Sequence, residues 1–190
     1  MKSVQVGTLM FLLCVGCLGQ QPAPPSKAKA NIASIHAIDF RNFDYPADCG
    51  SDDYPKVIHV SNGGWDKTLE GGSIIGFSLA KPVFGYITGG PGEDAVVVGD
   101  CEPGQGVFSK IFVYKVVDGK VKLNKLSASV WEEHLNDDWG VSGVRINNKQ
   151  LLVTYAAGGS HAQQAWDVTS TLQWNGSKFI RIKAVRVPHK

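Results

Sequence analysis

From Lys110 onward the chain alternates apolar and polar residues in short runs, and each reversal falls on residues that tolerate positive φ. Lys110 to Val117 (KIFVYKVV) is β-branched and aromatic; Asp118-Gly119 follows, then Lys120 to Leu126 with clean alternation. Asp-Gly between two such runs predicts a hairpin, because a type I′ turn needs positive φ at both central residues. The arrangement recurs at Val141 to Ile146, Asn147-Asn148-Lys149 and Gln150 to Tyr155, and again at Val168 to Trp174, Asn175-Gly176-Ser177 and Lys178 to Val187. A weaker instance is Lys56 to Val60 with Ser61 to Gly64 as its turn. Ile35 to Phe40, Ile74 to Leu79, Val83 to Ile87 and Ala95 to Val98 also have strand character. Alternation such as Lys178-Phe179-Ile180-Arg181-Ile182-Lys183 predicts sheets with one face in the core and one in solvent. The expected fold is therefore mainly β, an antiparallel sheet built from successive hairpins. A short helix is expected at Asn31 to His36 or Ser129 to Leu135, so a β-rich α+β variant stays open.

Residues 1–19 read as an export signal: Met1-Lys2 gives a positive start, and Thr8 to Leu18 is an apolar run too short for a permanent membrane anchor. Two processing readings stand. Cleavage after Gly19 releases a free chain; alternatively Val15-Gly16-Cys17 resembles a lipobox, which would leave Cys17 lipidated as a membrane anchor. Both place the mature chain outside the cytoplasm, in the periplasm, on the membrane as a lipoprotein, or secreted. No later stretch has the length of a spanning helix. Residues 20–30 (QQPAPPSKAKA) suit a solvated tether, which leaves 31–187 as a single β-rich domain.

Composition narrows the functions. Nineteen Lys and Arg against seventeen Asp and Glu give a formal charge of +2, no field for general nucleic-acid binding. Five Trp, five Tyr and eight Phe supply core anchors that a disordered chain lacks. Cys49 and Cys101 remain once the leader is gone, and an exported chain meets oxidising conditions. A Cys49–Cys101 disulfide is expected, with two separate buried thiols as the alternative.

Val83 to Val98 (VFGYITGGPGEDAVVV), with Asp39-Phe40-Arg41-Asn42-Phe43-Asp44-Tyr45-Pro46 upstream, resembles bacterial exported proteins of the LppP/LprE lipoprotein type. The matching residues are Gly85 to Val98, Cys101, Ile111 to Lys120 and Val144 to Val153. The resemblance implies an envelope-facing β-rich domain with no assigned chemistry. Where such proteins carry an acidic, calcium-loop-like turn, this chain has Thr88-Gly89-Gly90-Pro91-Gly92-Glu93-Asp94. Hard cations want several oxygen ligands at close spacing, and Glu93 and Asp94 alone fall short, so a Gly-rich turn feeding a buried strand is expected.

The most polar segment is Trp131-Glu132-Glu133-His134-Leu135-Asn136-Asp137-Asp138-Trp139. His134 with Asp137 or Asp138 has the side chains for a divalent metal or acid–base work, and the rings of Trp131 and Trp139 suit a binding loop. No His-Glu-x-x-His spacing is present. Gly158-Gly159-Ser160-His161 puts a nucleophile beside a base, but adjacency in sequence is not a catalytic arrangement, and a turn between strands is expected. His36 and His59 fall in strand-like runs. Asn175-Gly176-Ser177 matches a glycosylation sequon that the hairpin turn explains by itself. Lys178, Arg181, Lys183, Arg186 and Lys190 give the last strand a basic edge.

No phosphate-binding loop, dinucleotide fingerprint, cofactor motif or convergent catalytic set is present, so neither a cofactor nor catalytic residues are assigned. The expected function is a non-catalytic exported or envelope-associated module that binds a protein, glycan or cell-surface partner. The alternatives are a small metal-dependent hydrolase using the 131–139 cluster, and a secreted protein inhibitor.

Overall fold

The computed structural model describes residues 33–46, 49–104, 106–124, 140–160 and 163–189. In chain order the strands are β1 (Asp44–Pro46), β2 (Val57–His59), β3 (Gly64–Thr68), β4 (Ile74–Leu79), β5 (Val83–Gly85), β6 (Asp94–Glu102), β7 (Phe108–Val117), β8 (Lys120–Asn124), β9 (Val141–Asn147), β10 (Gln150–Ser160), β11 (Gln163–Trp174) and β12 (Phe179–Pro188). The protein is mainly β, and every strand pairing is antiparallel.

The run Asp94 to Val98 is buried at every position, which a strand with one wet face cannot be. Strand β6 is covered on both sides. Ala95, Val97 and Cys101 point into one apolar cluster with Phe112 and Tyr114 of β7. Val96 and Val98 point into a second with Ile111 and Val113. The register Ala95↔Tyr114, Val96↔Val113, Val97↔Phe112, Val98↔Ile111 keeps each row in step across the two strands. These strands centre a six-stranded sheet of order β3-β4-β6-β7-β8, with β5 beside β6 next to the stretch that β4 occupies.

The first cluster is closed by the N-terminal segment, where Ile35, Phe40, Tyr45, Ile58 and Val60 are buried. The second is closed by a four-stranded sheet of order β12-β11-β10-β9, through Leu151, Val153, Tyr155, Val168, Leu172 and Phe179. Gly99 marks how tightly the first layer sits: an added Cβ would lie 2.3 Å from Phe77 Cζ. The Cys49–Cys101 disulfide ties the N-terminal segment to β6, with both cysteines buried.

Aromatic rings fill the first cluster. Tyr45 lies 5.2 Å from Phe112, and Tyr114 lies 5.3 Å from Phe43 and 5.4 Å from Phe40. Burial pushes both phenols well above their ordinary range. Tyr45 Oη donates to the Phe40 carbonyl at 2.7 Å, whereas Tyr114 Oη finds no partner among the described residues. A buried hydroxyl with no partner carries a desolvation cost. Tyr114→Phe is therefore expected to raise unfolding stability by about 1 kcal/mol in urea titration. A loss of that size would show the hydroxyl to be bonded.

The three C-terminal hairpins form as the turn chemistry dictates. Asp118 (φ 51°) and Gly119 (φ 67°) join β7 to β8, and Asn148 (φ 48°) and Lys149 (φ 60°) join β9 to β10. In the third, Asn175 Oδ1 accepts from the Ser177 N–H at 3.1 Å and the Lys178 N–H at 3.0 Å. Five expectations need correction. Ile35 to Phe40 is not a strand: Ser34 Oγ accepts from His36 N–H and caps a 3-10 turn at Ile35–Ala37, and the chain turns again through Asn42. The short helix expected at Asn31 to His36 is reduced to that turn, while Ser129 to Leu135 lies outside the described residues. Strand β2 pairs with β1 rather than across the Ser61–Gly64 turn, and β3 pairs with β4. Gly158 to Ser160 continue β10, in register to Ser160↔Gln163, rather than forming the turn. Ile180 and Ile182 are exposed, so the alternation at Lys178–Lys183 does not mark a face sunk in the core.

Candidate functional site

The Gly-rich loop turns its carboxylates to structural use. Asp94 is fully buried at the start of β6 and accepts from the Ile87 N–H (2.9 Å), the Thr88 N–H (2.8 Å) and Thr88 Oγ1 (2.6 Å). Lys115, its cross-strand partner on β7, places Nζ 4.0 Å from Asp94 Oδ1 and donates to Thr88 Oγ1 and the Gly89 carbonyl. Glu93 is drawn the other way, to His36 Nε2 at 2.6 Å. The segment is a turn feeding a buried strand, closed by one internal carboxylate.

Other described polar groups are similarly engaged. His59 Nδ1 meets Asp44 Oδ1 at 2.6 Å across β1 and β2, and His189 Nδ1 meets Asp167 at 3.1 Å. Ser109 Oγ donates to Asp100 and accepts from the Val141 N–H at 2.6 Å, joining the central sheet to the start of β9. Burial pushes the Asp100 carboxyl up, against the Ser109 hydrogen bond, so its charge opposes folding at neutral pH and acid relieves it. A half-open cleft of about 740 Å3 lies between Asp39-Phe40-Arg41, Asn62-Gly63 and the β4–β5 connection at Ala80-Lys81-Pro82. There Arg41 Nη2 donates to the Asn62 carbonyl at 2.6 Å. Asp39 accepts from Asn42 Nδ2 at 2.7 Å and from the Arg41 N–H, bonds that hold its carboxyl below the usual range. Among the described residues no three His, Cys, Asp or Glu side chains gather closely enough to hold a metal ion. No helix among them is long and apolar enough to cross a membrane.

Trp131, His134, Asp137, Asp138 and Trp139 lie outside the described residues, as do His161, the leader with Cys17, and Lys190. Ser160 ends β10 in a backbone ladder.

The feature that sequence reading passed over is the far half of the C-terminal sheet. Its core contacts run along Leu151, Val153, Tyr155, Val168 and Leu172 and reach Phe179 on β12. Beyond them Trp166 of β11 is 41% exposed, and β12 exposes Ile180 (37%), Ile182 (46%), Val185 (45%) and Val187 (50%). The large hydrophobics exposed among the described residues are eight, and these five are the ones clustered on two paired strands. Val185 stands opposite Thr169 and Val187 opposite Asp167, on the side away from buried Val168 and Ser170. Lys183 and Arg186 are exposed among them, and Arg181 is half-buried. Compared with known proteins, the chain matches no family model, no curated protein and no solved structure.

Proposed function

We propose that this chain is a non-catalytic exported module that binds a protein partner through the outer half of its C-terminal sheet. The observation that carries the reading is the run of exposed apolar side chains along β12, Ile180, Ile182, Val185 and Val187, with Trp166 exposed beside the end of that strand. Isolated exposed hydrophobics need no explanation, but four along one edge strand, interspersed with Lys and Arg, have the composition of an association surface. The side chains nearest to chemistry support the same reading. Asp94, Glu93, Asp44 and Asp167 are occupied by structural partners rather than converging on a reactive group. Export is supported by the apolar leader, by the resemblance to LppP/LprE-type proteins, and by a disulfide of the kind that persists in oxidising compartments.

The test uses the full mature chain, immobilised, against an extract of envelope and secreted proteins. Wild type is expected to retain a protein that the Val185→Ser/Val187→Ser variant, with unchanged far-UV circular dichroism, retains at least about tenfold less. Equal retention by both, or retention of a glycan alone, contradicts the reading.

A further inference from the structure

We infer that β12 is an acceptor edge for an extended acidic segment of a partner protein, which adds as a further strand with apolar and acidic residues in alternation. The inference rests on the partner-binding reading and names the mode and chemistry of that binding. Strand β12 has β11 on one side and no strand on the other among the described residues. It runs from Phe179 to Pro188, and after the register shift opposite Thr171 and Leu172 its ladder continues unbroken from Lys183 to Pro188, where proteins commonly keep exposed edges short.

The ladder fixes which backbone groups face outward. His189 N–H donates to the Ala165 carbonyl at 3.1 Å, next to the register pair Trp166↔Pro188. Antiparallel pairs alternate between bonded and non-bonded, so Asp167↔Val187 and Thr169↔Val185 are bonded pairs. Pro188, Arg186 and Ala184 then turn their outer backbone groups to the free edge. Pro188 fits this phase, since its missing N–H costs the ladder nothing there. Arg186 and Ala184 present an N–H and a carbonyl each to an incoming strand.

Side chains set the sequence that fits. On the face away from the core, β12 offers Ile180, Val185 and Val187 with Lys183 among them; on the other, beyond Phe179, come Arg181, Ala184 and Arg186. A strand added alongside meets a mainly apolar row on one face and the Arg186 side on the other, with Lys183 adding positive charge to the first, because neighbours across a ladder share a face. Residues 178–188 include Lys178, Arg181, Lys183 and Arg186 and no Asp or Glu. The one acidic residue of β11, Asp167, is already held by His189. A second copy of the chain pairing through β12 would bring together two strands that carry four basic residues each and no acidic one between Lys178 and Pro188, a charge balance that disfavours the pairing. Charge complementarity selects an acidic occupant, and the free backbone row selects an extended one.

The test titrates the full mature chain with two peptides of β12's length, one alternating Val with Asp and one alternating Val with Lys. The Val–Asp peptide is expected to bind saturably, more weakly as salt rises, and to slow amide exchange at Ala184 and Arg186; the Val–Lys peptide is expected not to bind. Arg186→Glu should weaken binding at least about tenfold. Ala184→Pro removes an outward N–H without touching a bond to β11 and should abolish it. Equal binding of both peptides, binding of neither, or indifference to both variants overturns the inference. A dimer of wild type that Ala184→Pro dissolves assigns the edge to a second copy and overturns it too. If the peptides fail while Val185→Ser/Val187→Ser still loses its retained protein, the partner face stands and strand addition falls.

Discussion

Asp94→Ala is expected to lower unfolding stability by about 3–5 kcal/mol. The side chain is fully buried, and its two oxygens take three hydrogen bonds from Ile87 and Thr88. Removing it strands the Ile87 and Thr88 N–H groups, takes the acceptor from the Thr88 hydroxyl, and leaves the Lys115 ammonium, whose side chain is 12% exposed, without its counter-charge. The lost group is also the closure of the loop that leads β5 into β6, so the strand buried on both faces loses its starting register. Asp94→Asn keeps an acceptor oxygen and drops the charge beside Lys115, and should fall between the two. Urea titration of the three proteins measures the series. A loss under about 1 kcal/mol for the alanine variant would mean the loop holds without its carboxylate.

Cys101→Ser is expected to cost about 4 kcal/mol, from the sequence separation of 52 residues that the disulfide closes. Cys101 lies on β6 with no exposure, and its partner Cys49 stands in the segment that covers the first cluster. That segment has little ladder of its own: β1 and β2 pair over three residues, and Tyr54 adds one hydrogen bond to the Gly76 carbonyl at 2.9 Å. Without the bond, residues 44–60 are held chiefly by Tyr45, Ile58 and Val60 against the central sheet. Wild type unfolded in the presence of a thiol reductant should reproduce the shift. An unchanged midpoint on reduction would show that packing alone secures the N-terminal layer.

How much of this was legible in the sequence depends on the range of the interactions involved. Hairpins at Asp118-Gly119, Asn148-Lys149 and Asn175-Gly176 are local: positive φ at two residues, or an Asn oxygen closing on the next amides, decides them without the rest of the chain. The apolar run Ala95 to Val98 was legible as a buried strand for the same reason, although its ladder extends from Asp94 to Glu102. Errors came where partners are distant. Ile35 to Phe40 has strand-like composition, but Ser34 caps a turn and Phe40 is needed beside Phe43 and Tyr114. The Ser61–Gly64 turn is real, with a Ser61↔Gly64 bridge, yet β2 finds its ladder in β1 and β3 in β4.

The candidate site was less legible than the fold. The basic residues Lys178, Arg181, Lys183 and Arg186 are visible in the sequence, where they suit the protection of an edge strand. Their apolar companions were hidden by the alternation rule, which assigns Ile180 and Ile182 to a core face. The register shift between Thr171 and Leu172 and the sparse burial of β12 beyond Phe179 put them in solvent instead. The Gly-rich turn at Thr88–Asp94 is legible, but the inward hydrogen bonds of Asp94 depend on how Ile87 and Thr88 fold back onto it, which spacing does not reveal.

Amide exchange on the full mature chain, with and without the protein it retains, tests the central claim most directly. Added protection confined to Ile180–Pro188 and the Trp166 end of β11 is the predicted result. Protection centred on the Asp39–Arg41 cleft or on residues 131–139, with β12 exchanging as before, would contradict it.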